Sequence, residues 1–105
     1  MDPAAGVDVE LGSVRTRAQI LDVSISGLRV VRPGHLPASV GQPVELSFSQ
    51  EDGRALVLGG AVVRAAGDEL AFRFEPMAPL QEDALRALIQ RRGQRRDRYG
   101  DNDTD

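Results

Sequence analysis

Apolar and polar residues alternate in short runs along most of this chain. Val7, Val9 and Leu11 alternate with Asp8 and Glu10, which predicts a half-buried strand ended by Gly12-Ser13. Ala18 and Ile20 carry the alternation through a second strand from about Arg15 to Val23, and it restarts after Ser24-Ile25-Ser26-Gly27 as a third, Leu28 to Val31. A loop over 32–43 with three prolines separates these from Val44, Leu46 and Phe48 in a fourth strand. Glu51-Asp52-Gly53-Arg54 then supplies a hairpin turn into a fifth strand, Ala55 to about Arg64. Gly67-Asp68 turns the chain into Leu70, Phe72 and Phe74, the sixth. Gly59-Gly60 inside the fifth strand weakens the ladder and predicts a bulge.

Six antiparallel strands of this length must close or sandwich to hide their edges, so the fold class is all-β. Strand parity assigns Val7, Val9, Leu11, Ile20, Leu28, Val30, Leu46, Phe48, Val63, Phe72 and Phe74 to one core. After Pro76 and Pro79 the period changes to 3.6, with Leu80, Ala84, Leu85 and Leu88 on one stripe and Glu82-Asp83 in the first turn of a helix. That stripe needs a surface to cover, either a barrel mouth or a second subunit in a homo-oligomer. Gly93 is the expected helix stop. Residues 1–92 thus read as one barrel with its terminal helix, and 93–105, without an aliphatic side chain after Gly93, as a charged, disordered tail.

The length of 105 residues is that of one domain. Absence of cysteine removes disulfides, thiolate metal sites and thiol nucleophiles, and fits a reducing compartment. Neither a signal-like start nor an apolar run of membrane-spanning length is present, so a cytoplasmic protein is expected. The net charge of −3 conceals an asymmetry: Arg91 to Arg98 holds five arginines against Asp97 alone.

The enzyme classes lose support by absence. His35 is the only histidine, and Glu82 and Asp83 occupy adjacent helix positions that do not face each other. Phosphate loops, serine elbows and dinucleotide glycine signatures are also missing, so no catalysis and no cofactor are expected. Specific single-stranded nucleic-acid binding lacks its stacking aromatics, since Tyr99 stands outside the strands.

The most informative segment is Asp22-Val23-Ser24-Ile25-Ser26-Gly27. Asp and Ser can bond nearby backbone N–H groups, and glycine can take a positive φ, so the segment reads as a sharp corner between two strands. The same corner can present carboxylate, hydroxyl and amide groups to a flat hydrogen-bonding ligand.

Asp22-x-Ser24-x-x-Gly27, followed by Leu28-Arg29-Val30, resembles the Asp/Asn-x-Ser-x-x-Gly signature of PilZ domains. Gly41-Gln42-Pro43-Val44-Glu45-Leu46, the late strand Leu70-Ala71-Phe72-Arg73-Phe74 and the helix from about Leu80 extend the similarity over roughly residues 7–92. The resemblance implies a six-stranded antiparallel β-barrel with one C-terminal α-helix, a bacterial regulatory module that binds cyclic di-GMP and relays the signal to a partner protein of motility, pilus or polysaccharide-export machinery. It implies that Asp22 and Ser24 contact a guanine edge and that Gly27 permits close approach. The family's Arg-x-x-x-Arg before the first strand has no counterpart in Met1-Asp2-Pro3-Ala4-Ala5-Gly6. Two replacements are expected for its guanine and phosphate contacts: Arg15 with Arg17, or Arg91, Arg92, Arg95 and Arg96. The alternative is an adaptor of the same fold that acts through protein contacts without nucleotide.

Overall fold

The computed structural model describes residues 6–34, 36–50 and 53–104, with side chains as far as Arg91. Six strands, β1 (Gly6–Leu11), β2 (Val14–Val23), β3 (Gly27–Val31), β4 (Pro43–Ser49), β5 (Ala55–Ala66) and β6 (Glu69–Phe74), precede one helix, α1 (Pro79–Thr104). They form a closed barrel in the order β1-β2-β3-β6-β5-β4, and β4 returns to pair with β1. Every pairing is antiparallel, so closure leaves no continuous strand edge to template association. His35 and the Glu51-Asp52 half of the expected hairpin turn lie outside the described residues.

Alternation fills the barrel as the sequence predicts. All the side chains assigned inside are buried except Val63, which is 44% exposed, while Val62 beside it is 1% exposed. The reason is parity, since Leu56, Leu58 and Val62 are buried on one alternation that turns Val63 outward. A register shift follows between Val62 and Arg64, where Val62 opposes Phe72 and Arg64 opposes Ala71. The inserted residue moves the inward parity from even to odd numbers, so Ala65 packs on the core after Val62. Pairing through Gly59 and Gly60 is regular instead of bulged. Those glycines serve close approach: a Cβ on Gly60 would meet the Arg73 carbonyl at 2.5 Å, and one on Gly59 would meet the Glu75 carboxylate at 2.8 Å.

A second register shift lies between Ile20 and Asp22 on β2, within a stretch where simple alternation was expected. Ile20 and Val23 are both buried across it, and Leu21 is turned outward. Without that extra residue the parity of Ala18 and Ile20 would carry Asp22 into the core.

The helix caps itself and is stitched to the barrel. Pro79 occupies the first helical turn, where its missing N–H costs no helical bond. Gln81 Oε1 accepts the Ala78 N–H at 2.8 Å, while Gln81 Nε2 donates to the Val57 carbonyl at 3.0 Å. That second bond matters because β6 pairs with β5 only from Gly60 onward, leaving Val57 without a strand partner on that side. Leu85 and Leu88 are buried against the barrel, so the apolar stripe covers this molecule's own barrel; Leu80, expected on the stripe, is 82% exposed. The helix also passes the stop expected at Gly93 and continues to Thr104. One interior glycine costs only about 1 kcal/mol against its Arg and Gln neighbours, which are good helix formers.

Candidate functional site

β2 and β3 are joined by the corner Ser24-Ile25-Ser26, and hydrogen bonds fix its shape. Ser24 N–H donates to the Gly27 carbonyl at 2.9 Å. The Ser24 hydroxyl oxygen accepts the N–H of Ser26 and of Gly27, each at 3.3 Å. These two acceptances leave the Ser24 O–H as a donor, with Ser26 Oγ at 3.1 Å and the Gly27 carbonyl at 3.5 Å within reach. The corner is tied to the far strand as well, since Phe74 N–H donates to the Ser26 carbonyl at 2.9 Å. Phe74 is itself held in the core by an edge-on contact with Phe48, ring centres 6.4 Å apart.

Asp22 reaches this corner through the β2 bulge. It is half-buried on the outer side of the sheet, with Arg29 as its partner across the β2–β3 pairing. The bulge therefore presents a carboxylate next to an exposed hydroxyl.

Gly27 departs from expectation in its backbone. It does not adopt a positive φ. A Cβ at this position would collide with the Phe72 carbonyl of β6, so the residue is small because the neighbouring backbone lies against it.

Beyond the corner, Ile25, Phe74, Glu75, Pro76, Met77 and Glu82 line an open concavity of about 450 Å³. Among the described residues, no group of His, Asp and Glu is arranged to hold a metal ion.

Arg15 and Arg17, proposed as phosphate partners, are not gathered at the corner. Arg15 and Arg17 project from the outer face of β2 toward one carboxylate: Arg17 Nη1 lies 3.3 Å from Asp8 Oδ1 and Arg15 Nη2 lies 3.9 Å from Asp8 Oδ2. Arg17 is five residues before Asp22, about 16 Å along an extended strand. Its guanidinium covers Gly6, where a Cβ would meet Arg17 Nε at 2.6 Å. Arg91 is half-buried on α1, and the side chains of Arg92, Arg95 and Arg96 lie outside the described ones.

Two arginines that sequence reasoning did not single out stand beside the corner instead. Arg29 is directly opposite Asp22, and Arg73 is directly opposite Gly27. Alternation along Leu70, Phe72 and Phe74 already turns Arg73 outward. What alternation does not carry is that β6, more than forty residues downstream, is the strand beside Gly27.

Residues 1–91 match the family model described as PilZ domain. Among solved structures, the PilZ domain of CeSA from a cellulose-synthesising bacterium is 22% identical with a TM-score of 0.69, over 85% of this chain and 92% of that one. The inhibitor of motility of Bacillus subtilis is 20% identical with a TM-score of 0.71, over 91% of this chain and 50% of that one. A tetrameric PilZ domain protein of Xanthomonas campestris, self-assembled through a helical bundle, is 24% identical with a TM-score of 0.58, over 81% of this chain and 49% of that one. At these identities the likeness is one of fold. No curated protein matches in sequence.

Proposed function

Because the chain belongs to the PilZ domain family, we propose that it is a regulatory binding module that takes up cyclic di-GMP at the Asp22-Ser24-Gly27 corner and passes the signal to a partner protein. The observation that carries this reading is the β2 bulge, which turns the Asp22 carboxylate outward beside the exposed Ser24 hydroxyl. Guanine offers two parallel N–H donors on one edge, and a carboxylate accepts such a pair in one plane. The Ser24 O–H adds a donor for a purine acceptor while its oxygen holds the corner closed. Recognition of this kind needs no catalytic group, and the module acts by binding alone. Signal relay suits the corner's position, since Ser26 is bonded to the end of β6 and that end leads through Glu75-Ala78 into α1.

The competing reading is an adaptor that has lost the nucleotide, and the observation favouring it is the absence of arginine from Met1 to Gly6. Calorimetric titration with cyclic di-GMP separates the two. Saturable heat with a dissociation constant in the micromolar range or below is expected, and none at high micromolar ligand would leave the adaptor. In either case the partner is a protein. Self-assembly through a helical bundle, as described for the Xanthomonas protein, needs an apolar seam, and residues 90–105 of this chain contain no aliphatic side chain. No helix of the described residues is long and apolar enough to cross a membrane.

A further inference from the structure

We propose that Arg73, seconded by Arg29, supplies cationic groups to the nucleotide site. This rests on the reading of Asp22, Ser24 and Gly27 as the cyclic di-GMP corner and names the residues that meet the ligand's phosphates.

Barrel register is the first support. Arg73 faces Gly27 on β3, and directly paired residues have side-chain origins about 5 Å apart. Its other cross-strand neighbour is Ala61 on β5. The next position on the same face of β6 is Ala71, so small side chains flank Arg73 on three sides. Such neighbours leave an exposed guanidinium above a low, flat floor.

Pairing is the second. The Arg73 side chain makes no ion pair or hydrogen bond among the described residues. Arg29 does have a partner, Glu69 Oε1 at 3.2 Å, but both side chains are close to half exposed. Pairs of that exposure contribute little and exchange readily for a stronger anion. Arg15 and Arg17, by contrast, converge on Asp8 at the far end of β2.

Charge is the third. Asp22, Glu69 and Glu75 lie on or beside this face, so a dianionic ligand drawn to the corner meets repulsion that must be offset locally. Two guanidinium groups, one two residues beyond Gly27 on β3 and one directly across from it on β6, match two phosphates in number. Each offers a planar fork for bidentate bonds and a face on which a purine can stack.

The experiment is titration of the full chain with cyclic di-GMP at about 0.05 M salt, where surface charges act over roughly 14 Å. Arg73→Gln is expected to weaken binding at least tenfold, with partial recovery in Arg73→Lys, which keeps the charge but loses the fork. Arg86→Gln makes the same change in net charge on α1 and should stay within twofold of wild type. Replacing Arg91, Arg92, Arg95 and Arg96 together by Gln should cost less than threefold. Melting temperatures of the Arg73 variants should match wild type, as that side chain is exposed. If wild type binds and Arg73→Gln binds equally well, this assignment is overturned while the corner stands. A quadruple variant that loses binding while Arg73→Gln keeps it would move the cations to the helix end. Absence of wild-type binding would overturn the corner reading and this one with it.

Discussion

At the scale of single residues, Asp22 and Gly27 do different work within one motif. Asp22 is turned outward by a bulge that places Val23 in the core in its stead. Asp22→Ala is therefore expected to weaken cyclic di-GMP at least tenfold, about 1.4 kcal/mol, and to leave the circular dichroism spectrum unchanged. Gly27 answers first to β6. Gly27→Ala drives a Cβ into the Phe72 carbonyl, and overpacking of that kind costs about 1–3 kcal/mol, to be read as a lower melting temperature without any ligand. A Gly27→Ala protein that melted like wild type yet failed to bind would assign the glycine to the ligand alone. The motif's residue types were legible in the sequence because short polar side chains and glycine mark a corner. Its geometry was not, because a bulge and a close backbone approach depend on which strand lies alongside.

At the scale of elements, alternation located all six strands and most of their inward faces, since each pattern is local. It failed at the residue inserted in β2, where alternation from Ala18 and Ile20 would carry Asp22 inward and only the shifted pairing with Arg29 turns it out. Val63, by contrast, lies off the parity that Leu56 and Leu58 set, which already turns Val62 inward. The helix was legible from its stripe, yet Leu80 lies about 110° around the helix from the midpoint of Leu85 and Leu88, off the face they bury. Gln81 went unnoticed for a related reason. Its importance comes from Val57, an unpaired carbonyl twenty-four residues away, to which it donates while closing the helix N-terminus. Gln81→Ala removes both bonds from one side chain and is expected to destabilise by about 1–2 kcal/mol, measurable by urea denaturation with an unchanged slope. Gln81→Glu keeps the acceptor for Ala78 and loses the donor for Val57, so it should fall between the two.

At the scale of the whole molecule, burial and extent separate. The largest fully buried side chains, Phe48 and Phe72 among them, sit inside the barrel, and the last buried one among the described residues is Leu88. Phe72 is 2% exposed, so Phe72→Ala should cost about 3–5 kcal/mol and test the core directly. The helix nevertheless runs 26 residues, which at 1.5 Å per residue is about 39 Å, far more than Leu85 and Leu88 need. Beyond Ile89 its sequence has no aliphatic side chain and only Tyr99 as an aromatic one, so little apolar area is on offer to stabilise this extension. Deleting residues 93–105 should therefore leave the melting temperature within about 2 °C of the full chain, a shift equivalent to well under 1 kcal/mol for a domain of this size. The strand signature in circular dichroism should persist while the helical signal falls. A marked loss of stability would mean that the extension packs on protein, and sedimentation of the full chain would then tell whether that protein is its own barrel or a second copy.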